Sequence, residues 1–246
     1  MARLRFIDKI LEMTSPRRDP DLSGAAVVKE GVRFYVRYVL FAFAYIVVVM
    51  AVSKVTGLEI KHVLSTSGYR DAVGADLVRK CFRVCLWGPV LEELTFRLWH
   101  SFKRRDVAIT VFVIAYVLLT RYILPHDHNV SLWGFASDYF EHFPLKVLLS
   151  GLLAAGVYFL ENDRLSRLGD KTKHVIICVS LLVFALLHMT NVSCAWYLYP
   201  VVVFMCLPQL ILGTTATYYR IRIGFWAGVA FHCLVNLFFT LLAFLH

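Results

Sequence analysis

Seven long apolar stretches follow one another along this chain, at residues 34–52, 81–99, 107–124, 145–160, 174–189, 196–217 and 225–245. Each approaches the length of about 20 residues that an α-helix needs to cross a bilayer. Their apolar residues are continuous rather than alternating, which does not suit an outer-membrane barrel. Of the 246 residues, 59% are hydrophobic and 17% charged, where a soluble domain averages roughly 25% charged. An ordinary soluble domain, a disordered chain and a disulfide-stapled secreted module are excluded. The pattern predicts an all-α, polytopic transmembrane helical bundle of about seven spans.

The charges predict how those spans are arranged. Residues 3–13 place Leu4, Ile7 and Leu11 at helical spacing among Arg3, Arg5, Asp8, Lys9 and Glu12. That segment is too short and too charged to cross, so an interfacial amphipathic helix is expected there. Residues 15–23 read as a linker, 1–33 as a cytoplasmic N-terminal segment, and 34–246 as one membrane domain. No cleavable signal peptide is visible, and the first span is expected to act as an anchor. The stretch 81–99 is doubtful by hydropathy, because it holds Arg83, Glu92, Glu93 and Arg97. If it crosses, 16 Lys and Arg fall on the N-terminal side of the membrane and 5 on the other. If it does not, the excess reverses. Positive residues hold cytoplasmic loops in place, so seven crossings with a cytoplasmic N-terminus are expected. The same rule accounts for the net charge of +9 without a nucleic-acid partner. Cys81, Cys85, Cys178, Cys194, Cys206 and Cys233 form no CxxC pair and read as small buried hydrophobes.

An ionisable residue at mid-membrane depth costs roughly 2.5–3.5 kcal/mol on insertion scales, so it requires a reason. Three clusters stand out: Glu92-Glu93-Leu94-Thr95-Phe96-Arg97, Phe184 to His188, and His232 to Asn236. Measured from the nearest basic residue on the cytoplasmic side, Glu92, His188, His232 and Asn236 lie about 15–22 Å deep at 1.5 Å per residue. All four therefore fall within a core about 30 Å thick. Glu93 and Arg97 stand at i,i+4 with the acid first, the favourable order for an ion pair. Glu92 is rotated about 100° from Glu93 and is left facing the bundle. Gly88 leaves room beside it, and Pro89 disrupts the turn before it. His232 and Asn236 share a face with Gly224 and Gly228, a small-residue stripe suited to close helix approach.

A glutamate withdrawn from bulk water can serve as a general base. An imidazole beside it can share the proton or hold the water. A second histidine and an asparagine can stabilise an oxyanion. Together they suit water attack on a peptide carbonyl without a covalent intermediate. No Ser-His pair or HExxH lies in these clusters. Glu93, Arg97 and Phe184 read as supporting residues. His126, Asp127, His128, Asp138, Glu141 and His142 lack strict ligand spacing and read as a solvated loop.

The three clusters resemble the signature of the CAAX prenyl protease and bacteriocin-processing family, the Abi-type intramembrane endopeptidases. EExxxR matches Glu92, Glu93 and Arg97; FxxxH matches Phe184 and His188; HxxxN matches His232 and Asn236. Residues 210–236 look like the family's last block throughout. The resemblance implies a glutamate-dependent, membrane-embedded endopeptidase acting on a membrane-associated peptide or protein. By resemblance, Glu92 and His188 activate the water, and His232 and Asn236 form the oxyanion hole. No cofactor is expected; a divalent metal such as zinc, if bound, would be held by Glu92, His188 and His232. The 96 residues from Glu92 to His188 exceed the family's usual separation, and 107–163 reads as an inserted helical hairpin. Short loops and the plain HxxxN ending look bacterial, which implies an inner membrane. The alternative readings are a catalytically silent binding or immunity protein on this scaffold, and an ion-coupled transporter.

Overall fold

The computed structural model describes residues 24–56, 78, 81–124, 142–191 and 199–244. The expected interfacial helix at 3–13 and the linker at 15–23 lie outside them. Among the described residues the structure is all-helical, with no strand. The chain divides into two compact units, Met1–Asp71 with Asp170–His246, and Ala72–Gly169.

In the first unit, α1 (Gly24–Thr56) is followed by α5 (Asp170–Leu187), α6 (Tyr199–Met205), α7 (Leu207–Arg222) and α8 (Phe225–Phe244). At 33 residues, α1 is about 50 Å long and outreaches a hydrocarbon core of about 30 Å. Its buried residues Tyr38, Ala42, Tyr45 and Val49 recur at helical spacing and form one stripe. Leu40, Val47 and Met50, on its other faces, are exposed. The stripe packs on α7, the central helix, which also contacts α5 and α8. Tyr38, Tyr218, Tyr219 and Phe231 supply the aromatic heart of this core.

Two breaks in the first unit have plain covalent causes. Pro208 lacks the N–H that would close onto the Phe204 carbonyl four residues back, and α6 gives way to α7 beside it. The Tyr45 hydroxyl donates to that carbonyl at 3.0 Å. Between α7 and α8 the chain turns at Gly224, whose φ of +150° is a conformation that glycine alone adopts readily. Gly224 therefore serves the turn and is not part of a packing stripe, as its spacing had suggested. Gly228 is buried.

In the second unit, a π-helical turn (Arg83–Trp87) leads into α2 (Gly88–Phe96), a 3-10 turn (Leu98–Ser101), α3 (Arg104–Leu118) and a second π turn (Leu119–Ile123). Helix α4 (Phe143–Glu161) packs against α3. Its exposed face is apolar, with Leu148, Leu152, Leu153, Phe159 and Leu160. Its enclosed positions include Lys146 and Ser150, at 1% and 0% exposure. Apolar outside and polar inside is the arrangement demanded by a hydrocarbon surround.

Among the described residues, four helical segments are long and apolar enough to cross a membrane: Gly31–Ala51, Phe143–Glu161, Pro200–Arg222 and Phe225–Leu242. The other three expected spans fail that measure for separate reasons. The stretch 81–99 is broken into short helices, α3 is continued by a π turn, and α5 begins with Asp170, Lys171 and Lys173.

The Tyr45 bond gives a test. Tyr45→Phe leaves the Phe204 carbonyl without its donor and should cost about 1–3 kcal/mol. Tyr35→Phe removes only a 3.5 Å exposed bond to the mid-helix carbonyl of Leu234 and should cost much less. Thermal unfolding in detergent micelles checks the difference.

Candidate active site

In the second unit the acidic cluster sits on a helix with a disturbed entry and a broken exit. Pro89, in the first turn of α2, has no N–H and crowds the carbonyl four residues before it. The backbone widens ahead of it into the π turn, and Gly88 N–H bonds to the Arg83 carbonyl. A β-carbon on Gly88 would lie 3.1 Å from that oxygen, so the widened turn favours glycine. Such turns recur at functional positions in helices. At the other end α2 stops at Phe96, and Arg97 takes φ −130° and ψ −21°.

Glu93 and Arg97 form the ion pair expected from their spacing, with Arg97 Nη1 at 2.5 Å from Glu93 Oε1 and both side chains sealed from solvent. Glu92 is half-buried on the adjacent face. Thr110 of α3 donates to the Leu94 carbonyl at 2.9 Å, which ties α2 to α3. One histidine at this end was missed by sequence reading. His100 is 4% exposed on the 3-10 turn, its N–H bonded to the Arg97 carbonyl at 3.2 Å. It lies one residue beyond the assigned span and belongs to no motif. Buried Lys146 was also missed, although a lysine inside the stretch 145–160 was a visible signal.

In the first unit the structure brings Phe184, His188 and His232 together. Helix α5 ends at Leu187, and a 3-10 turn (His188–Asn191) follows. His188 Nδ1 lies 2.8 Å from the Phe184 carbonyl oxygen. A carbonyl can only accept, so Nδ1 carries the proton, and a neutral His188 presents the lone pair on Nε2. The Phe184 ring, 1% exposed, meets the His188 ring edge-on at 4.8 Å and the His232 ring at 6.4 Å. His232 is buried at 2% exposure. Asn236 follows one turn later on α8 and is half-buried.

Glu92 thus belongs to the second unit, and His188, His232 and Asn236 to the first. Among the described residues no group of three or more His, Cys, Asp or Glu stands in metal-holding geometry. Of the loop residues considered above, only His142 is described; it is exposed, with φ 50°, directly before α4. His126, Asp127, His128, Asp138 and Glu141 lie outside the described residues.

The profile of the type II CAAX prenyl endopeptidase Rce1-like family matches residues 75–238. That covers Glu92, His188, His232 and Asn236, and two-thirds of the chain. The family defines a class of protein: proteases with apolar helices that place them in a membrane. This chain belongs to it. Neither a curated protein nor a solved structure gives a significant match.

The two neighbouring glutamates should behave differently. Glu93→Gln removes the charge facing a sealed Arg97 and should cost about 3–5 kcal/mol, the range for breaking a buried pair. Glu92→Gln should leave the fold close to its wild-type stability. The unfolding midpoints of the two variants in detergent separate the supporting acid from the half-buried one.

Proposed function

We propose that this protein is an intramembrane endopeptidase that cleaves a peptide bond of a membrane-associated peptide or protein with water activated by Glu92 and His188. The observation that carries the reading is the His188 hydrogen bond. It fixes Nδ1 as the protonated nitrogen and leaves Nε2 to accept a proton or hold a water. Family membership supplies the reaction class.

The chemistry balances with the chain's own groups. His188 Nε2 accepts a hydrogen bond from the water and orients it. The Glu92 carboxylate takes the other proton as the oxygen attacks the carbonyl carbon. The charge that develops on the carbonyl oxygen is met by donors from His232 and Asn236. The tetrahedral intermediate collapses, the C–N bond breaks, and Glu92 returns the proton to the leaving amine. Phe184 steadies both imidazoles through ring contact, and the Glu93–Arg97 pair stiffens the exit of α2. The reading requires Glu92 to face the two histidines. It includes seven crossings, with the N-terminus in the cytoplasm of a bacterial inner membrane. The bias of Lys and Arg between alternate loops supports that orientation. The segment 107–163 is proposed as a hairpin added to the family core.

Cleavage can be followed by mass spectrometry on full-length protein in liposomes, offered a prenylated CAAX-ending peptide and membrane peptides of the host. Glu92→Gln and His188→Ala should each lower the rate by about 10²–10⁴-fold. Asn236→Ala should lower it by about 10²–10³-fold. The wild-type rate should survive a membrane-permeant chelator. Unchanged cleavage in both Glu92→Gln and His188→Ala would overturn the assignment.

A further inference from the structure

A groove of about 420 Å³ runs between α3 and α4, open along one side. Its apolar lining combines the small Ala108, Ala154 and Ala155 with the larger Ile109, Phe112, Tyr158 and Phe159. From Arg105, which lines one end, to Phe112 is seven residues, so the groove reaches about 10 Å inward from the start of α3. The exposed leucines of α4 show that this side of the hairpin faces hydrocarbon.

The end at Arg105 is basic. Lys103, Arg104 and Arg105 are consecutive, and Arg164 and Arg167 lie exposed in the turn after α4. The acids at that end are already engaged. Glu161 accepts the backbone N–H groups of Asp163 and Leu165. Asp163 lies 3.9 Å from Arg104, and Asp106 accepts from Arg105 Nε at 3.3 Å. The Arg104 guanidinium rests 4.6 Å above the Tyr158 ring, which fixes the rim of the groove. Lys103 is exposed, and the Arg105 side chain stays 77% exposed while its Nε is paired with Asp106. Lys103, exposed, and Arg105, largely exposed although its Nε is paired with Asp106, thus place two cations at the basic end of an apolar groove.

We infer that this groove binds an anionic phospholipid of the surrounding bilayer, its phosphate held by Lys103 and Arg105 and one acyl chain lying along Ala108, Ala154 and Ala155. Apolar walls with small residues accept a flexible chain without polar cost. A basic rim at the interface selects the headgroup, because each Lys or Arg near an anionic lipid surface contributes a substantial attraction. A zwitterionic lipid fits the slot equally well but gains little from the rim. The site would hold lipid whether or not Glu92 is catalytic.

The full-length protein can be reconstituted in nanodiscs of equal parts phosphatidylglycerol and phosphatidylcholine, then released into detergent and weighed by native mass spectrometry. Wild type should retain phosphatidylglycerol in preference to phosphatidylcholine. The double variant K103Q/R105Q, altered only at exposed positions, should lose that preference by roughly five-fold per charge. The pair R33Q/K171Q removes two exposed cations from the other unit and should keep it. Ala155→Trp, which fills the groove from its open side, should reduce retention of both lipids. Equal retention of the two lipids by wild type would overturn the inference. So would equal losses in the two double variants, or unchanged retention in Ala155→Trp.

Discussion

Polar groups in this molecule are enclosed by protein, because the outer faces of its apolar helices meet hydrocarbon. An unsatisfied backbone group in lipid costs several kcal/mol, and several carbonyls near breaks or within helices take a side-chain donor. Tyr45 takes the carbonyl that Pro208 leaves open. Thr214 and Thr215 return their hydroxyls to the Leu210 and Ile211 carbonyls at 2.8 and 2.9 Å. Thr110 holds the Leu94 carbonyl across a helix contact. The Arg97 guanidinium, the largest side chain sealed in the interior, has Glu93 one turn behind it. These bonds permit helices made of short, interrupted pieces.

Two of the interruptions lie beside residues proposed for the chemistry. Glu92 lies one turn after a π turn and one turn before the end of α2. His188 is the first residue beyond α5. A carbonyl oxygen carries two lone pairs and can accept from a side chain as well as from the helix ladder. At the end of α5 the Phe184 carbonyl is within reach of His188 Nδ1, and the orientation of the ring follows from that bond. The sequence spacing F-x-x-x-H thus acts twice: its carbonyl sets the tautomer of His188, and its ring touches both histidines. His232 needs no such device, since it sits within α8 and is fixed by burial against Phe184.

The helical class, the outward apolar faces and the Glu93–Arg97 pair were legible in the residues, because hydropathy and i,i+4 spacing survive any detail of packing. Positions of the breaks were less so. The π turn before Pro89 was anticipated only as a disturbed turn, since periodicity does not separate a widened turn from a regular one. The exit of α2 at Phe96 has no proline or glycine to announce it. Gly224 was read by its spacing as a packing residue, but spacing cannot report that its φ is positive. Lys146 was absorbed into an apolar stretch whose average masked it. In the candidate site, His188 and His232 were brought together by depth and by the family's motifs, with Phe184 as a supporting residue; its ring contact with both imidazoles was not foreseen. The bond that fixes the tautomer of His188 depends on where α5 stops, which no motif records.

The central claim is that Glu92 and His188 serve one water molecule. It is tested most directly by proximity in the folded protein. In a background freed of its six native cysteines, Glu92→Cys and His188→Cys would be introduced together and treated in membranes with cadmium or a short thiol-bridging reagent. The account predicts that the two thiols are bridged within one chain, far faster than a control pair in which Glu92→Cys is combined with a cysteine replacing exposed Leu152. Bridging no faster than in that control would place the glutamate and the histidine apart and contradict the account.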